Sequence, residues 1–131
     1  MIYNLLHWLQ QQFPSITFVA EGVTQQSTQN RVEVLTVPGR VTGYPDRRSD
    51  DHVQITVRDS NMYQCYITAR LIFDAMRDRH YLTLPPHPEQ GTDGVVITVI
   101  YMHAINRPYP MGRDADGLFA YRSEYVLTYS G

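Results

Sequence analysis

The 131-residue chain contains no lysine, and all eleven of its basic residues are arginine. That excludes a Schiff-base lysine and the lysine of a phosphate-gripping P-loop. It contains a single cysteine, Cys65. No intrachain disulfide can form and no cysteine-based zinc site can be built, which suits a reducing compartment or a particle assembled in one. Charge of either sign is scarce: the net charge is −2, unlike a generic nucleic-acid or anionic-membrane binder. No apolar run approaches the roughly 20 residues that span a bilayer. The opening Met1-Ile2-Tyr3-Asn4 has no basic n-region and no small-residue cleavage site follows it, so the expectation is a chain that stays in the cytoplasm where it is made. Tryptophan occurs once, against ten tyrosines.

What is present reads as one domain over residues 1–131. The chain is 43% apolar and 18% charged, enough for a packed core. The spacing of Ile2, Leu5, Leu6, Leu9 and Phe13 predicts an amphipathic helix ended by Pro14. Residues 16–20 read as a weak strand, 22–30 as a polar loop, and Val32, Val34 and Val37 as a strand. Residues 40–51 read as a long loop. Val53, Ile55 and Val57 alternate with polar residues as a half-buried strand. Ser60 or Asn61 can cap a second helix running to about Arg79. Residues 95–102 are apolar and β-branched and predict a central strand covered on both faces. Residues 106–117, rich in Pro, Gly and Asp, read as a second long loop. Phe119, Tyr121, Tyr125, Leu127 and Tyr129 share one face of a last strand, with Arg122, Glu124 and Thr128 on the other. The fold class is α+β: a mostly antiparallel sheet of four to six strands with two helices on one face.

The second helix has more apolar surface than one core needs. Met62, Cys65, Tyr66, Ala69, Ile72, Phe73 and Met76 form a core stripe. Tyr63, Ile67 and Leu71 recur every four residues and project roughly opposite to it at 100° per residue. Such a helix is sandwiched inside the chain or buried against a partner. Tyr3 and Trp8 fall off the main stripe of the first helix and point the same way.

Chemistry finds little purchase. The five histidines lack H-x-H or H-x-x-x-H spacing. His52 beside Asp50 and Asp51 could form a carboxylate–imidazole dyad, and a hydrophilic turn accounts for it as well. Cys65 falls on the core stripe as a small hydrophobe. Asp114, Asp116 and Asn106 lack the spacing of a calcium loop.

Two segments carry a resemblance. Val53-Gln54-Ile55-Thr56-Val57-Arg58-Asp59-Ser60, followed by the helix through Ala69, Ile72 and Met76, resembles the strand–Arg–helix unit of small phage tail-completion proteins. Pro110-Met111-Gly112-Arg113-Asp114-Ala115-Asp116-Gly117 before residues 119–129 resembles their Gly-x-Asp-x-x-Gly loop and final aromatic strand. Together with the short N-terminal helix and the strand after it, these make the chain similar to the tail-terminator and minor capsid proteins of phages with long non-contractile tails. The resemblance implies a structural virion protein with no catalytic residue and no cofactor. It implies a hexameric ring at the head-proximal end of the tail tube, meeting the tube protein on one side and the head connector on the other. DNA would pass through the lumen without specific binding, and no membrane would be involved. A head-completion or connector protein and a tube subunit are neighbouring readings.

A ring needs two different patches on each subunit. The apolar candidates are Trp8, Tyr63, Ile67 and Leu71. Arginines beside carboxylates supply the polar ones, because bidentate Arg–carboxylate pairs fix geometry. These are Arg47, Arg48, Arg58, Arg70, Arg113 and Arg122, with Asp59, Asp114, Asp116 and Glu124 as partners.

Overall fold

The computed structural model describes residues 1–21, 29–37, 39, 48–86, 88 and 96–130. Helix α1 (Ile2–Gln12) precedes strands β1 (Phe18–Ala20), β2 (Arg31–Val37) and β3 (Arg48–Asp59). Helix α2 (Met62–Met76) follows, and then β4 (Asp78–Leu84), β5 (Ile97–Arg113) and β6 (Phe119–Ser130). The six strands form one sheet in the order β1-β2-β3-β6-β5-β4. Only β1 and β2 run parallel; every other neighbouring pair is antiparallel. The fold is the expected α+β arrangement.

The centre of the sheet is the β3–β6 pair, matched without a break from Arg48↔Ser130 to Asp59↔Phe119. Alternation sets its two faces. Val53, Ile55 and Val57 of β3 and Tyr125 and Leu127 of β6 are buried toward the helices, while Gln54 and Arg58 point away with Arg122 and Glu124. Helix α2 lies across β3, β6 and β5 and buries Cys65, Ala69, Ile72, Phe73 and Met76. It starts where Asn61 Oδ1 accepts the Gln64 N–H at 3.1 Å, one of the two caps the sequence offered.

Helix α1 packs against β1 and β2 and also against β4. These strands lie at opposite ends of the sheet. An 11-residue helix is about 16 Å long, and different parts of α1 reach the two sides. Gln10 ties α1 to the β1 end, its Nε2 donating to Ile16 O at 2.7 Å, and Asn4 Nδ2 donates to Pro85 O just beyond β4. This bridging position also settles Trp8. It is 4% exposed, inside the core with Leu5 and Leu9, with Arg79 over its ring. The expectation of an interface tryptophan is corrected: both sheet ends close on α1, so its apolar face is wider than the Leu-based stripe. Tyr3 remains exposed.

Four other readings change. Residues 48–51 belong to β3 and are not loop; residues 40–47 lie outside the described residues. Helix α2 ends at Met76 and a strand, β4, follows at once. Most of β4 is exposed, so no alternation marked it in the sequence. Strand β5 runs on through Arg113 where a loop was expected. Past His103 its outer edge has no neighbouring strand among the described residues, and there Pro108 and Pro110 cost no ladder bond. Lastly, β5 is second from the edge of the sheet and is covered by α2 on one face only.

Candidate functional site: the uncovered surfaces

The described residues leave two surfaces uncovered by other parts of the chain, the helix-free face of the sheet and the outward face of α2. The first is polar. Arg58 stands between two carboxylates, its Nε 2.6 Å from Glu33 Oε1 and its Nη1 3.0 Å from Asp114 Oδ2. Burial disfavours its charge, but Glu33 and then Asp114 outweigh that and raise the guanidinium above its ordinary value. Arg31 shares Glu33 at 3.4 Å. Arg122 Nε donates to Thr56 Oγ1 at 3.1 Å. Glu124 Oε2 accepts from Asn106 Nδ2 at 2.9 Å, and the Glu124 N–H donates back to Asn106 Oδ1.

Asp114 does two jobs. Its Oδ1 accepts from the backbone N–H groups of Asp116 and Leu118 at 2.9 and 3.0 Å, closing the β5–β6 turn, while Oδ2 holds Arg58. Burial would raise its pKa, but the two N–H donors and Arg58 hold the carboxyl below its usual range. Gly117 ends this turn at φ +82, in the left-handed region a side chain would strain. The Gly-x-Asp-x-x-Gly pattern is therefore a turn whose aspartate clamps the arginine of β3.

The second surface is apolar. Tyr63 is 67% and Leu71 49% exposed, with Ile67 half-buried between them. All three project away from the buried side of α2, as their spacing required. Arg70 and Asp74 flank the row, 3.5 Å apart, with Arg70 also over the Phe73 ring.

The remaining candidates scatter. Arg48 opens β3 and is exposed, and Arg113 ends β5 over the Phe119 ring at 4.7 Å. Asp116 is exposed in the turn. Arg47 lies outside the described residues. Arg58 and Asp114, expected to pair across a subunit boundary, pair within the chain. The cause is register: Arg58 lies opposite Arg31 on β2 and Ala120 on β6, a step from Glu33 and beside the turn.

The histidine–carboxylate candidate also dissolves into structure. Asp51 is buried on the helix side and accepts from Tyr129 Oη at 2.8 Å, while Asp50 accepts from Thr128 Oγ1 and His52 is exposed. Burial and the Asp51 carboxylate push the Tyr129 phenol up to about 12. Cys65 is buried, with Sγ 3.2 Å from Val57 O; burial first, and then the charge of Asp59, push its thiol up to about 11, which leaves it protonated and unreactive at neutral pH. Among the described residues no group of three His, Cys, Asp or Glu could hold a metal ion, and no helix is long and apolar enough to cross a membrane.

Sequence reasoning missed one part of the surface, the edge of β5 past His103, which no strand of the described residues covers. Bulges between Ala104/Asn106, Asn106/Tyr109 and Pro110/Gly112 put extra residues out of the ladder, among them Ile105 at 47% and Met111 at 45% exposure. The Pro and Gly content that suggested a loop was the available signal. No family model and no curated protein matches the chain.

Proposed function

We propose that this chain is a structural virion protein, a ring subunit that caps the head-proximal end of a phage tail tube and joins it to the head connector. The observation that carries the assembly part is the Tyr63–Ile67–Leu71 row. Large apolar side chains on the outer side of a well-formed helix, with no cover from the described chain, mark a protein–protein contact. The charged side chains Arg58, Arg122, Glu33, Glu124, Asp50 and Asp114 of the open sheet face find partners within the chain, so the apolar row is where association free energy is available. The tail assignment rests on the resemblance of the strand–Arg–helix unit and of the Asp114 turn with its aromatic strand. The pairing of Arg58 with Asp114 supports it by giving the two segments one shared purpose.

Native mass spectrometry and negative-stain imaging of the purified chain, alone and with phage tail tubes, test the reading. Closed rings that bind one end of a tube are the expected result. A strictly monomeric species at high concentration that ignores tubes would overturn it. Open tubes formed by the chain alone would move it to the tube subunit, and binding to filled heads without tails to the connector.

A further inference from the structure

The turn between β5 and β6 needs a glycine at position 117, where φ is +82. The residue before it is an aspartate, so the turn contains an Asp116–Gly117 bond. We infer that this bond is a site of spontaneous aspartate isomerisation, and that the Arg58–Asp114 clamp holds it in check. The site stands apart from the ring reading. It gives the clamp a second role, protection of the chain from its own chemistry.

The reaction needs only the chain and water. The Gly117 amide nitrogen attacks Cγ of Asp116. An N–Cγ bond forms, the C–O bond of the protonated carboxyl breaks, and the amide proton leaves with that oxygen as water. The product is a five-membered succinimide. Water then adds to one of its two carbonyls and opens the ring. Breaking the new N–Cγ bond restores aspartate. Breaking the original backbone C–N bond leaves the chain running through the side-chain carbon, as isoaspartate. No electrons are gained or lost, and the final mass is unchanged. Glycine is the most permissive residue to follow the aspartate, because it has no Cβ to hinder the attacking nitrogen. Asp116 is exposed. Apart from the chain neighbours of Gly117, no atom lies within 4 Å of where its Cβ would sit. The turn is therefore open to the water that the reaction uses.

What opposes the reaction is that the attacking nitrogen is already engaged. The Gly117 N–H donates to Asp114 O at 3.1 Å. The N–H groups on either side, of Asp116 and Leu118, donate to Asp114 Oδ1 at 2.9 and 3.0 Å. The Asp114 N–H closes the turn on Leu118 O at 2.9 Å. Arg58 Nη1 holds Oδ2 of the same carboxylate at 3.0 Å. Ring closure rotates the peptide between residues 116 and 117, which breaks the Gly117 bond and pulls on its two neighbours. The folded chain therefore reacts at the rate of the open turn multiplied by the fraction of time the turn is open. Asp114 sets that fraction directly, and Arg58 sets it through Asp114. The product cannot return to the same turn, because isoaspartate adds a carbon to the backbone between the Asp116 and Leu118 N–H groups that Asp114 collects.

The experiment ages the full folded chain at physiological temperature and neutral pH, then digests it with trypsin. Cleavage after Arg113 and Arg122 isolates residues 114–122, away from the chain's other Asp–Gly pair at residues 93 and 94. Isoaspartate in that peptide is read by its shifted retention and by electron-transfer fragmentation, which separates the two isomers at equal mass. The folded chain should isomerise at residue 116 at least about tenfold more slowly than the chain unfolded in urea. Asp114→Ala should bring the rate close to that of the unfolded chain, and Arg58→Ala should give an intermediate rate, with far-UV circular dichroism as the folding check. Where Asp114→Ala fails to fold, Asp114→Asn replaces it. That variant keeps an oxygen for the two N–H groups but loses the charge Arg58 grips, and it should age like Arg58→Ala. Asp116→Glu should remove the signal, since its longer side chain cannot close the five-membered ring.

A folded parent that isomerises as fast as the unfolded chain would overturn the protection. Folded Asp114 and Arg58 variants that age no faster than the parent would overturn the part given to the clamp. An unfolded chain that yields no isoaspartate at residue 116 would remove the site itself.

Discussion

The two uncovered surfaces differ in how their groups are satisfied. On the helix-free face of the sheet, Arg58, Arg122, Glu33, Glu124, Asp50 and Asp114 each have a partner within the chain. On the outward face of α2, Tyr63 and Leu71 stay largely exposed in the described chain. Exposed apolar area gains free energy whenever it is removed from water, at roughly 25 cal/mol per Å². A polar group that already has its partner gains little from another. The arginines of the open face thus support the fold, and the tyrosine–leucine row is free to support assembly.

Substitutions separate the two roles. Trp8→Ala sets the scale, since it empties the core that both surfaces enclose. It should cost about 3–5 kcal/mol, read by urea denaturation of the monomer. Arg58→Ala strands Glu33 and Asp114. Its side chain is partly exposed, so the loss should be about 2 kcal/mol, below that of a fully buried pair. Arg58→Lys should also lower monomer stability, because an ammonium cannot span both carboxylates with the same geometry. A monomer as stable as the parent, with rings alone affected, would reverse the assignment of the open face.

Tyr129→Phe removes the bond to Asp51 and should cost about 1 kcal/mol. The parent should also show an alkaline limb. The folded chain favours the neutral Tyr129 phenol, so this contribution is complete below the ordinary tyrosine value and is lost as pH rises through about 12. Tyr129→Phe should shrink that limb in a pH series of thermal melts. Asp114 works in the opposite direction. Its folded pKa is lowered, so its contribution is complete above the ordinary aspartate value and is lost as pH falls through the lower folded one. Asp114→Asn should flatten the acid limb of the stability curve.

The smallest effect on the monomer is the most diagnostic. Leu71→Ser should change monomer stability by no more than about 0.5 kcal/mol while lowering the assembled fraction. A large loss of monomer stability would mean that α2 packs against its own chain on that side, and the contrast between the two surfaces would disappear.

Much of the fold was legible because alternation and helical spacing report burial directly. Val53, Ile55 and Val57 marked β3, Tyr125 and Leu127 marked β6, and Tyr63, Ile67 and Leu71 marked the outer side of α2. Strand β4 was illegible because an edge strand exposed along most of its length has no buried side to reveal. The end of β5 was misread because proline and glycine mark loops and free edges alike.

The sequence by itself determined which face of each long element meets the core, since the 2-residue and 3.6-residue periods are local properties of the backbone. It also determined that one helix carries apolar surface on two sides. Only the tertiary structure decided what lies opposite what. Helix α1 contacts strands at both ends of the sheet and buries Trp8, and the β3–β6 register with the Asp114 turn puts Arg58 between two carboxylates. Those outcomes depend on strand order and register, which join residues such as Glu33, Arg58 and Asp114 across long separations in the chain. No local pattern encodes a distance of that kind.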